Sequence, residues 1–286
     1  MIDLHTHTTA SDGRCSPAEL VARASAAGVT VLGVTDHDTV SGCAAAARAC
    51  GEAAIDFVPA IEITAVRDDA DVHILGYFVE TRSPALLAFL ERQRRTRIDR
   101  VREMIDRLAG LGIRLDATAI LEPGVTDPTK AAGRPWIARA LVADGHVETT
   151  NEAFDRWLAR GRPAFVPRIG APPEEVFARI HDAGGIASLA HPALVQRDDW
   201  IEPFANAGLD ALEAYHTEHD HQATVHYRAL AARLGLATSG GSDYHGDESH
   251  GAAAPGAVTL PADDYERLKA RRATMRATAS GRTTSS

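Results

Sequence analysis

Residues 2–7 read Ile-Asp-Leu-His-Thr-His, a short apolar stretch that ends in two histidines separated by one residue. The pattern is typical of a buried β-strand, in which side chains alternate between two faces, so His5 and His7 lie on the same face. Ile2 and Leu4 then face the surrounding helices. In an α/β barrel, active sites are built at the carboxyl ends of the strands. The stretch therefore predicts a polar site at the end of the first strand.

Further apolar segments of strand length follow along the chain and alternate with helical segments. The predicted strands after the first are Val31–Thr35, Phe57–Ile63, Val72–Val79, Gly185–Ala190, Leu209–Ala214 and Leu236–Ser242. Ser16-Pro17-Ala18-Glu19 predicts a helix start, with Ser16 as the N-cap and Glu19 as its reciprocal capping partner. Alternation of this kind favours βα units around a largely parallel sheet. The polar residues from Ala277 to Ser286 predict an unstructured tail.

Histidines and carboxylates recur at the ends of these strands or in the loops just after them. There are nine such groups: His5, His7, Asp12, His37, Glu62, His73, His191, Asp243 and His245. Nitrogen and oxygen donors without thiolates suit Mn²⁺, Zn²⁺, Fe²⁺ or Mg²⁺. Any one of these histidines could be a hydrogen-bonded core residue, but recurrence at the same end of successive strands favours metal ligands. Nine groups are too many for one ion, so the sequence predicts two or three.

A segment with several helix signals and few strand signals interrupts the alternation. We predict a barrel formed by residues 1–108 and 166–286, and an inserted helical domain at 109–165 that covers the site. Its landmarks are Gly133-Arg134-Pro135-Trp136 and Gly161-Arg162-Pro163. The helix before it, from Ser83-Pro84 to about Leu108, carries six arginines between positions 92 and 102. We expect these to form a solvated face, with guidance of phosphates as the alternative.

Composition limits the partners and the compartment. The chain has 286 residues and a formal net charge of -9, so no general attraction to nucleic acid or anionic membranes is expected. The three cysteines form no CxxC pair, which suits a reducing compartment. No apolar run approaches the roughly 18 residues that a membrane helix needs, and no signal-peptide pattern is evident. We expect a cytoplasmic protein with no membrane association and no obligate protein partner.

The polar motifs resemble those of the polymerase and histidinol phosphatase (PHP) family of metal-dependent phosphoesterases. The matching pieces are Asp3-Leu4-His5-Thr6-His7, Ser11-Asp12-Gly13, Thr35-Asp36-His37-Asp38, Glu62, His73, His191-Pro192 and Ser242-Asp243-Tyr244-His245-Gly246. The resemblance implies an α/β fold, a distorted (β/α)7 TIM-like barrel with a small helical insertion domain, and a trinuclear site. By analogy, His5, His7, Glu62 and Asp243 hold one ion. Glu62 bridges to a second held by His73 and His191, and Asp12, His37 and His245 hold the third.

Within that family, the insertion with Gly133-Arg134-Pro135 is similar to that of 3',5'-nucleoside bisphosphate phosphatases, which also act exonucleolytically on short RNA and DNA. The resemblance implies hydrolysis of the 3'-phosphate of nucleoside 3',5'-bisphosphates, giving a nucleoside 5'-monophosphate and phosphate, with Mn²⁺ as the expected metal. Glu62, Asp12 and His37 are the expected catalytic residues. The expected substrate contacts are Arg134, Ser11, Lys130 and His219, because they lie in the insertion or follow strands. A guanidinium matches phosphate oxygens bidentately, but Arg134 could equally be a surface residue.

Other functions are compatible with parts of the pattern. The alternatives are a phosphatase of the histidinol-phosphate type, a metal-dependent amidohydrolase and a non-catalytic phosphate-binding module. Many binuclear amidohydrolases bridge their ions with a carboxylated lysine on a barrel strand. This chain has only Lys130 and Lys269, neither on a predicted strand. A binding module would normally have lost ligands, and none of the nine is missing. His146, His181, His226 and His250 are expected to be surface or core residues.

Overall fold

A mixed seven-stranded sheet forms the centre of the fold. The computed structural model describes residues 1–127, 132–246 and 252–283, with side chains up to residue 275. The strands are β1 (Ile2–Asp3), β2 (Val31–Val34), β3 (Asp56–Arg67), β4 (Ala70–Tyr77), β5 (Ile186–Leu189), β6 (Ala211–Tyr215) and β7 (Ala237–Gly240). They pair in the order of the sequence, from β1 to β7. All seven strands predicted from the sequence are therefore confirmed, with shifted ends.

Contacts between β7 and β1 bring the two edges of the sheet together. The backbone amide of Leu4 donates to the carbonyl of Gly240 at 3.3 Å, and the amide of Asp243 donates to the carbonyl of His5 at 2.8 Å. The sheet thus curls into a nearly closed barrel with helices around it. This confirms the distorted seven-stranded barrel that the sequence motifs imply.

The prediction of a largely parallel sheet of βα units is wrong for β4. This strand runs antiparallel to both β3 and β5, whereas the other neighbouring pairs are parallel. Asp68 and Asp69, with φ values of 49° and 60°, make the tight turn between β3 and β4. A parallel pair needs a crossover of about a dozen residues or more, and the chain has no room for one here. A hairpin is the connection that fits.

The hairpin changes where Glu62 and His73 lie. β2 pairs with β3 only as far as Pro59, so the second half of β3 continues beyond the end of β2 and pairs with β4. Glu62 and His73 are therefore inside strands rather than after strand ends, with Thr64 opposite His73 in the register. Both side chains therefore reach the barrel mouth from within the extended β3–β4 hairpin and not from the end of a parallel strand.

Helices cover the outside of the barrel and form the insertion. They are α1 (Pro17–Ala26), α2 (Cys43–Glu52), α3 (Pro84–Gly110), α4 (Ala117–Thr126), α5 (Arg134–Ala143), α6 (Thr150–Ala153), α7 (Pro173–Asp182), α8 (Pro192–Val195), α9 (Ile201–Ala207), α10 (His221–Leu234) and α11 (Ala262–Thr283). The capping box of α1 is present, because the Glu19 amide donates to the Ser16 hydroxyl at 3.3 Å and the Ser16 amide donates to the Glu19 carboxylate at 2.8 Å. The prediction of an unstructured tail is wrong as far as Thr283, since α11 extends to it. α11 is anchored by the fully buried Leu268, and the sequence analysis predicts no helix there.

The helices between α3 and α7 have a hydrophobic core of their own. Its buried residues include Ile137 and Leu141 of α5, together with Leu121 of α4 and Leu158 of the π-helical turn that follows α6. The same cluster starts on α3 at Ile98. The long helix α3 therefore serves both the barrel and the inserted helices. The boundary at 109 stays a prediction, because one continuous helix crosses it.

A buried carboxylate fixes the seam of the barrel. Asp3 accepts hydrogen bonds from the amide of Ser242 at 2.9 Å, the hydroxyl of Ser242 at 2.7 Å, the amide of Gly256 at 2.7 Å and the amide of His5 at 3.3 Å. Burial raises the pKa of Asp3, and these donors partly offset that effect. The bonds hold the end of β1 against the segment after β7, which sets His5 beside Asp243.

Candidate metal centre

All nine histidines and carboxylates singled out in the sequence meet at the mouth of the barrel. The segments that follow β1, β2, β5 and β7 supply seven of them, and the β3–β4 hairpin supplies Glu62 and His73. His5 and His7 are fully buried and Glu62 is 1% exposed, so the centre lies at the bottom of the mouth. The cluster can be divided into groups whose donor atoms lie within 4.8 Å of one another.

One largely buried group contains His5, His7, Glu62 and Asp243. The Nε2 atom of His5 lies 3.3 Å from Glu62 Oε2 and 3.2 Å from Asp243 Oδ1. The Nε2 atom of His7 lies 3.2 Å from the same Glu62 oxygen and 3.1 Å from the same Asp243 oxygen. Two imidazoles and two carboxylates therefore face a common point, as the ligands of one ion do.

The two oxygens of Glu62 face different sets of imidazoles. Oε2 lies 3.2 Å from Nδ1 of His37, in addition to its contacts with His5 and His7. Oε1 lies 2.8 Å from Nδ1 of His73 and 3.2 Å from Nε2 of His191. A carboxylate in this position can bridge two ions.

The outermost group surrounds Asp12, whose side chain is 52% exposed. Asp12 Oδ1 lies 3.4 Å from Nε2 of His245 and 3.8 Å from Nδ1 of His7, and Oδ2 lies 3.7 Å from Nε2 of His37. His7 and His37 each present one ring nitrogen to this group and the other to Glu62. The analogy assigns His7 to the first ion and His37 to the third, whereas the geometry lets each contact two groups.

The charges in the cluster favour the ionised carboxylates. Burial alone would raise the pKa of Glu62, but neighbouring histidines, led by His37 and His73, hold it well below its usual range. Burial opposes ionisation of Asp243 in the same way, and His5 and His7 outweigh it. Burial lowers the pKa of His37 to about 4, which leaves that imidazole neutral near neutral pH. Ionised carboxylates and neutral imidazoles are the forms that bind metals. Burial opposes protonation of His7, but Asp243 and Glu62 outweigh it and raise its pKa to about 10, so this imidazole would release a proton on binding an ion.

Several buried polar atoms of the cluster have no hydrogen-bond partner in the described part of the chain. They are both ring nitrogens of His7, the Nδ1 atoms of His73 and His191, and Oδ1 of Asp243. An unsatisfied buried polar atom costs about 1–3 kcal/mol, so a cluster of them indicates that another group completes the site. A set of nitrogen and oxygen donors fits divalent metal ions. The cluster is therefore a candidate divalent-metal site.

Two residues behind the cluster were not recognised as site residues from the sequence. Glu213 is fully buried on β6; its Oε1 lies 2.9 Å from Nδ1 of His5, and its Oε2 accepts a hydrogen bond from the amide of His191 at 2.7 Å. The sequence feature that could have identified Glu213 was a charged residue between Leu212 and Ala214 on an otherwise apolar strand. Burial opposes ionisation of Glu213, but His5 outweighs it and lowers the pKa of the carboxyl.

The second of these residues, His216, lies behind Asp243. Its Nδ1 accepts a hydrogen bond from the amide of Glu218 at 3.1 Å. In the neutral ring Nε2 therefore carries the proton and can donate it to Asp243 Oδ2, which lies 3.2 Å away. Side chains of this kind orient metal ligands by holding the atom that does not face the ion.

A cavity of about 560 Å³ opens in front of the cluster. Ser11 lines it, as expected of a substrate contact, and its hydroxyl lies 2.9 Å from the Asp36 carboxylate. The other walls come from the barrel and the inserted helices, including His37, His73, Arg97, Trp136, Arg139 and Arg168. The inserted helices thus form one side of the mouth.

The arginines nearest the cluster differ from those predicted. Arg97 belongs to the run that was expected to be a solvated face, yet its side chain is 13% exposed, pairs with Asp38 and lines the cavity. Arg134 does not line this cavity. It lines a neighbouring one of about 190 Å³, with Arg100, Arg160 and Arg168, and its guanidinium lies over the ring of Phe154 at 5.5 Å.

This second cavity, which we call the arginine cavity, is strongly basic. Four arginines, Arg100, Arg134, Arg160 and Arg168, line it together with Asp69 and Asp71. Burial and the nearby charges of Arg134 and Arg168 lower the pKa of Arg100 to about 10. Arg168 lines both cavities, so the arginine cavity adjoins the metal centre.

Of the remaining expected substrate contacts, His219 does not line the cavity. Nδ1 of His219 lies 3.1 Å from the carbonyl of Ala214, and its Nε2 accepts from the amide of Ala193 at 3.4 Å. Both ring nitrogens of this buried residue are thus occupied by backbone groups, and we correct the expectation that it contacts substrate. Lys130 lies outside the described residues, as does His250. His181 and His226 pair with Asp210 and Asp198 and belong to no ligand group.

Comparisons with known proteins agree with this geometry. The PHP domain model matches residues 3–122. A 5'-3' exoribonuclease of Haemophilus influenzae is 34% identical over 256 residues, which cover 85% of this chain and 89% of the relative. A 3',5'-nucleoside bisphosphate phosphatase of Chromobacterium violaceum is 33% identical over 251 residues, which cover 85% of this chain and 87% of the relative.

A solved structure extends the similarity to the fold. A protein from Bifidobacterium adolescentis, described as a metal-dependent phosphoesterase, superposes with a TM-score of 0.77 at 29% identity, over 94% of this chain and 95% of that one. The similarity to known proteins thus extends over most of the chain in sequence and nearly all of it in fold. The chain belongs to the PHP family of metal-dependent phosphoesterases.

Proposed function

We propose that this chain removes the 3'-phosphate from nucleoside 3',5'-bisphosphates, giving a nucleoside 5'-monophosphate and phosphate, and also shortens oligonucleotides from the 5' end. The observation that carries the proposal is that the cavity of the metal centre and the arginine cavity share Arg168. A substrate with two phosphates can place one at each. The exoribonuclease and bisphosphate phosphatase names of the relatives support this substrate class.

The nine clustered residues act as metal ligands in this proposal, with Mn²⁺ preferred to Mg²⁺, Zn²⁺ or Fe²⁺. Divalent ions bound there would neutralise charge on the phosphoryl group and supply a nucleophilic water near neutral pH. Glu62 would be a ligand of two ions, because each of its oxygens faces a different set of imidazoles. The third ion, or Asp12 and His37 of the cavity lining if that ion is absent, would steady the phosphoryl oxygens or assist the leaving group.

The second phosphate binds in the arginine cavity. Arg168 is already paired with Asp71 at 2.6 Å, whereas, among the residues that the structure describes, the guanidinium of Arg134 contacts only the aromatic ring beneath it. Arg134 is therefore the residue best able to take a new anionic partner, and a guanidinium binds phosphate bidentately. Two carboxylates do not neutralise the four arginines, so an anion there is favourable.

The alternative functions receive less support. A histidinol-phosphate type of substrate has one phosphate and would leave the arginine cavity without an anion. An amidohydrolase of the carboxylated-lysine type needs a lysine at the bridge. Glu62 occupies that place, and Lys269 lies on the outer helix α11, where it pairs with Glu266 at 2.7 Å. A non-catalytic module is disfavoured because all nine ligand groups are present.

The expected location is the cytoplasm. Within the described ranges, no helix has the length and apolar character that crossing a membrane requires.

A phosphate-release screen of the Mn²⁺-loaded protein tests the substrate class directly. Nucleoside monophosphates, nucleoside 3',5'-bisphosphates and histidinol phosphate should be compared at equal concentration. Cleavage of 5'-phosphorylated oligonucleotides, which releases nucleoside 5'-monophosphate instead of phosphate, should be followed by chromatography. We expect the 3',5'-bisphosphates to react fastest and to yield nucleoside 5'-monophosphate. Preferred hydrolysis of histidinol phosphate, or release of the 5'-phosphate, would contradict the proposal.

The purified protein should contain at least two divalent ions per chain, because its nine donor groups exceed the needs of one ion. Elemental analysis of protein never exposed to a chelator measures the content. The His245→Ala variant serves as a comparison. It should lose the ion bound by the outermost group more readily than the other ions, because Asp12 in the outermost group is exposed. One ion or fewer in the unaltered protein would show that the nine clustered residues do not bind two or more metal ions.

Replacing Glu213 by glutamine should weaken metal binding about 10–100-fold, the usual effect of losing a group that orients a ligand. The carboxylate holds the ring of His5 and the backbone of His191 at once, and glutamine cannot accept on both atoms. Metal affinity is measured by competition with a fluorescent chelator, and thermal unfolding of the metal-free proteins provides the control. A normal metal affinity in Glu213→Gln would show that the residue only fills the core.

A further inference from the structure

The cavity in front of the metal centre continues on the side of the inserted helices. A second open cavity of about 330 Å³ adjoins it, and Trp136 and Arg139 line both. Ile120 and Pro123 of α4 complete this extension, which we call the tryptophan cavity. It shares no lining residue with the arginine cavity. The mouth of the barrel therefore has two extensions of different chemistry.

Trp136 is held in place although it is only partly buried. Its ring packs so closely on Gly124 that a Cβ atom at that position would lie 3.1 Å from both Cη2 and Cζ3. Glycine at 124 thus allows α4 to support the ring. An aromatic side chain that is fixed at one edge and borders two cavities can accept a flat partner with little loss of entropy.

Arg139, one turn further along α5, is exposed and forms no hydrogen bond or ion pair with any residue that the structure describes. By contrast, Arg97 and Arg168, which also line the main cavity, pair with Asp38 and Asp71. An uncommitted guanidinium beside an aromatic ring is the combination that binds single-stranded nucleic acid. The ring stacks on a base, and the cation contacts the backbone phosphate.

We propose that Trp136 and Arg139 form a subsite for the nucleotide that follows the scissile phosphate in a single-stranded oligonucleotide. The inference rests on the proposed function, in which the 5'-phosphate lies in the arginine cavity and the 3'-phosphate at the metal centre. The base of the next nucleotide stacks on Trp136, and its 3'-phosphate contacts Arg139. A nucleoside bisphosphate ends before this subsite, so the subsite selects longer substrates.

Binding by the metal-loaded protein tests the subsite without requiring turnover. The probes are a 5'-phosphorylated trinucleotide with hydrolysis-resistant phosphorothioate linkages and a nucleoside 5'-phosphate 3'-phosphorothioate, both titrated by calorimetry. The measured quantity is the ratio of the two Kd values. We expect Trp136→Leu and Arg139→Gln each to reduce the preference for the trinucleotide about tenfold, as loss of one stacking or phosphate contact does. Trp136→Phe, which keeps an aromatic face, should retain most of it.

Arg114→Gln is the matched control, because Arg114 is exposed, lies among the inserted helices and lines neither cavity. The Arg114→Gln variant should have the same ratio of Kd values as the unaltered protein. The subsite is disproved if Trp136→Leu and Arg139→Gln also keep that ratio, or if the unaltered protein binds the trinucleotide no more tightly than the mononucleotide. Failure of the proposed function would be recognised by a different result. The protein would then release no phosphate from any nucleoside bisphosphate, whatever the Kd ratio of the two probes.

Discussion

Replacing Glu62 by glutamine should lower kcat on a nucleoside 3',5'-bisphosphate by about 10³-fold, close to 4 kcal/mol of transition-state stabilisation. Glutamine has nearly the same shape, but it lacks the charge and the second equivalent oxygen. In the protein, Oε1 faces His73 and His191 while Oε2 faces His5, His7 and His37. The change therefore removes a ligand from two ions at once.

The His245→Ala variant should lose only about tenfold in kcat, because it removes one outer ligand. His245 belongs to the group around the exposed Asp12, and its loss leaves the buried ligands in place. Glu218→Gln is the control for the loss of one negative charge near the mouth, since Glu218 follows β6 and is exposed. Steady-state kinetics and metal content should be measured on all four proteins. Equal and mild losses in Glu62→Gln and His245→Ala would show that Glu62 is not the bridge.

Replacing Arg134 by alanine should lower kcat/KM for the bisphosphate by about 10²-fold, in line with the ~1.5–3 kcal/mol of a charge-assisted contact. Binding energy from the second phosphate helps to hold the scissile phosphate against the metal centre, so its loss reduces the rate of reaction. Arg100, Arg160 and Arg168 remain in the cavity and limit the loss. The selectivity for the bisphosphate over a simple aryl phosphate should fall by a similar factor.

Kinetics of Arg134→Ala on both substrates distinguish the possible roles of this arginine. Arg114→Ala, which removes an exposed arginine of the same insertion, should behave like the unaltered protein. A uniform loss on both substrates would mean that Arg134 is structural or contacts the reacting phosphate. No loss on either would make it an ordinary surface residue.

The positions of the strands and of the nine ligand candidates could be predicted because both depend on local pattern. Alternation within residues 2–7 places His5 and His7 on one face wherever the strand lies. A polar residue at the end of an apolar segment is visible in the sequence without knowledge of its neighbours. The Ser16 capping box is local for the same reason and is present as predicted.

The direction of β4 was wrong although the sequence contained enough information to predict it. The connection between the predicted strands ending at Ile63 and starting at Val72 is shorter than a crossover helix requires. The hairpin follows from chain length alone. Glu62 and His73 reach the mouth from inside long strands. Their position there can be seen only when the hairpin is placed against β2 and β5.

The groups behind the metal centre and the arginines in front of it were decided by tertiary structure. Glu213 has its partners 208 and 22 residues away along the chain, so its sequence neighbours do not reveal that it holds His5 and His191. Arg97, Arg134 and Arg139 look alike in the sequence. Which of them faces the metal centre depends on how α3 and α5 are rotated against the barrel, and that rotation is set by the apolar core of the inserted helices. The amino-acid pattern alone thus indicated the candidate metal ligands, whereas packing between distant helices decided which arginines and which aromatic ring line the cavities beside them.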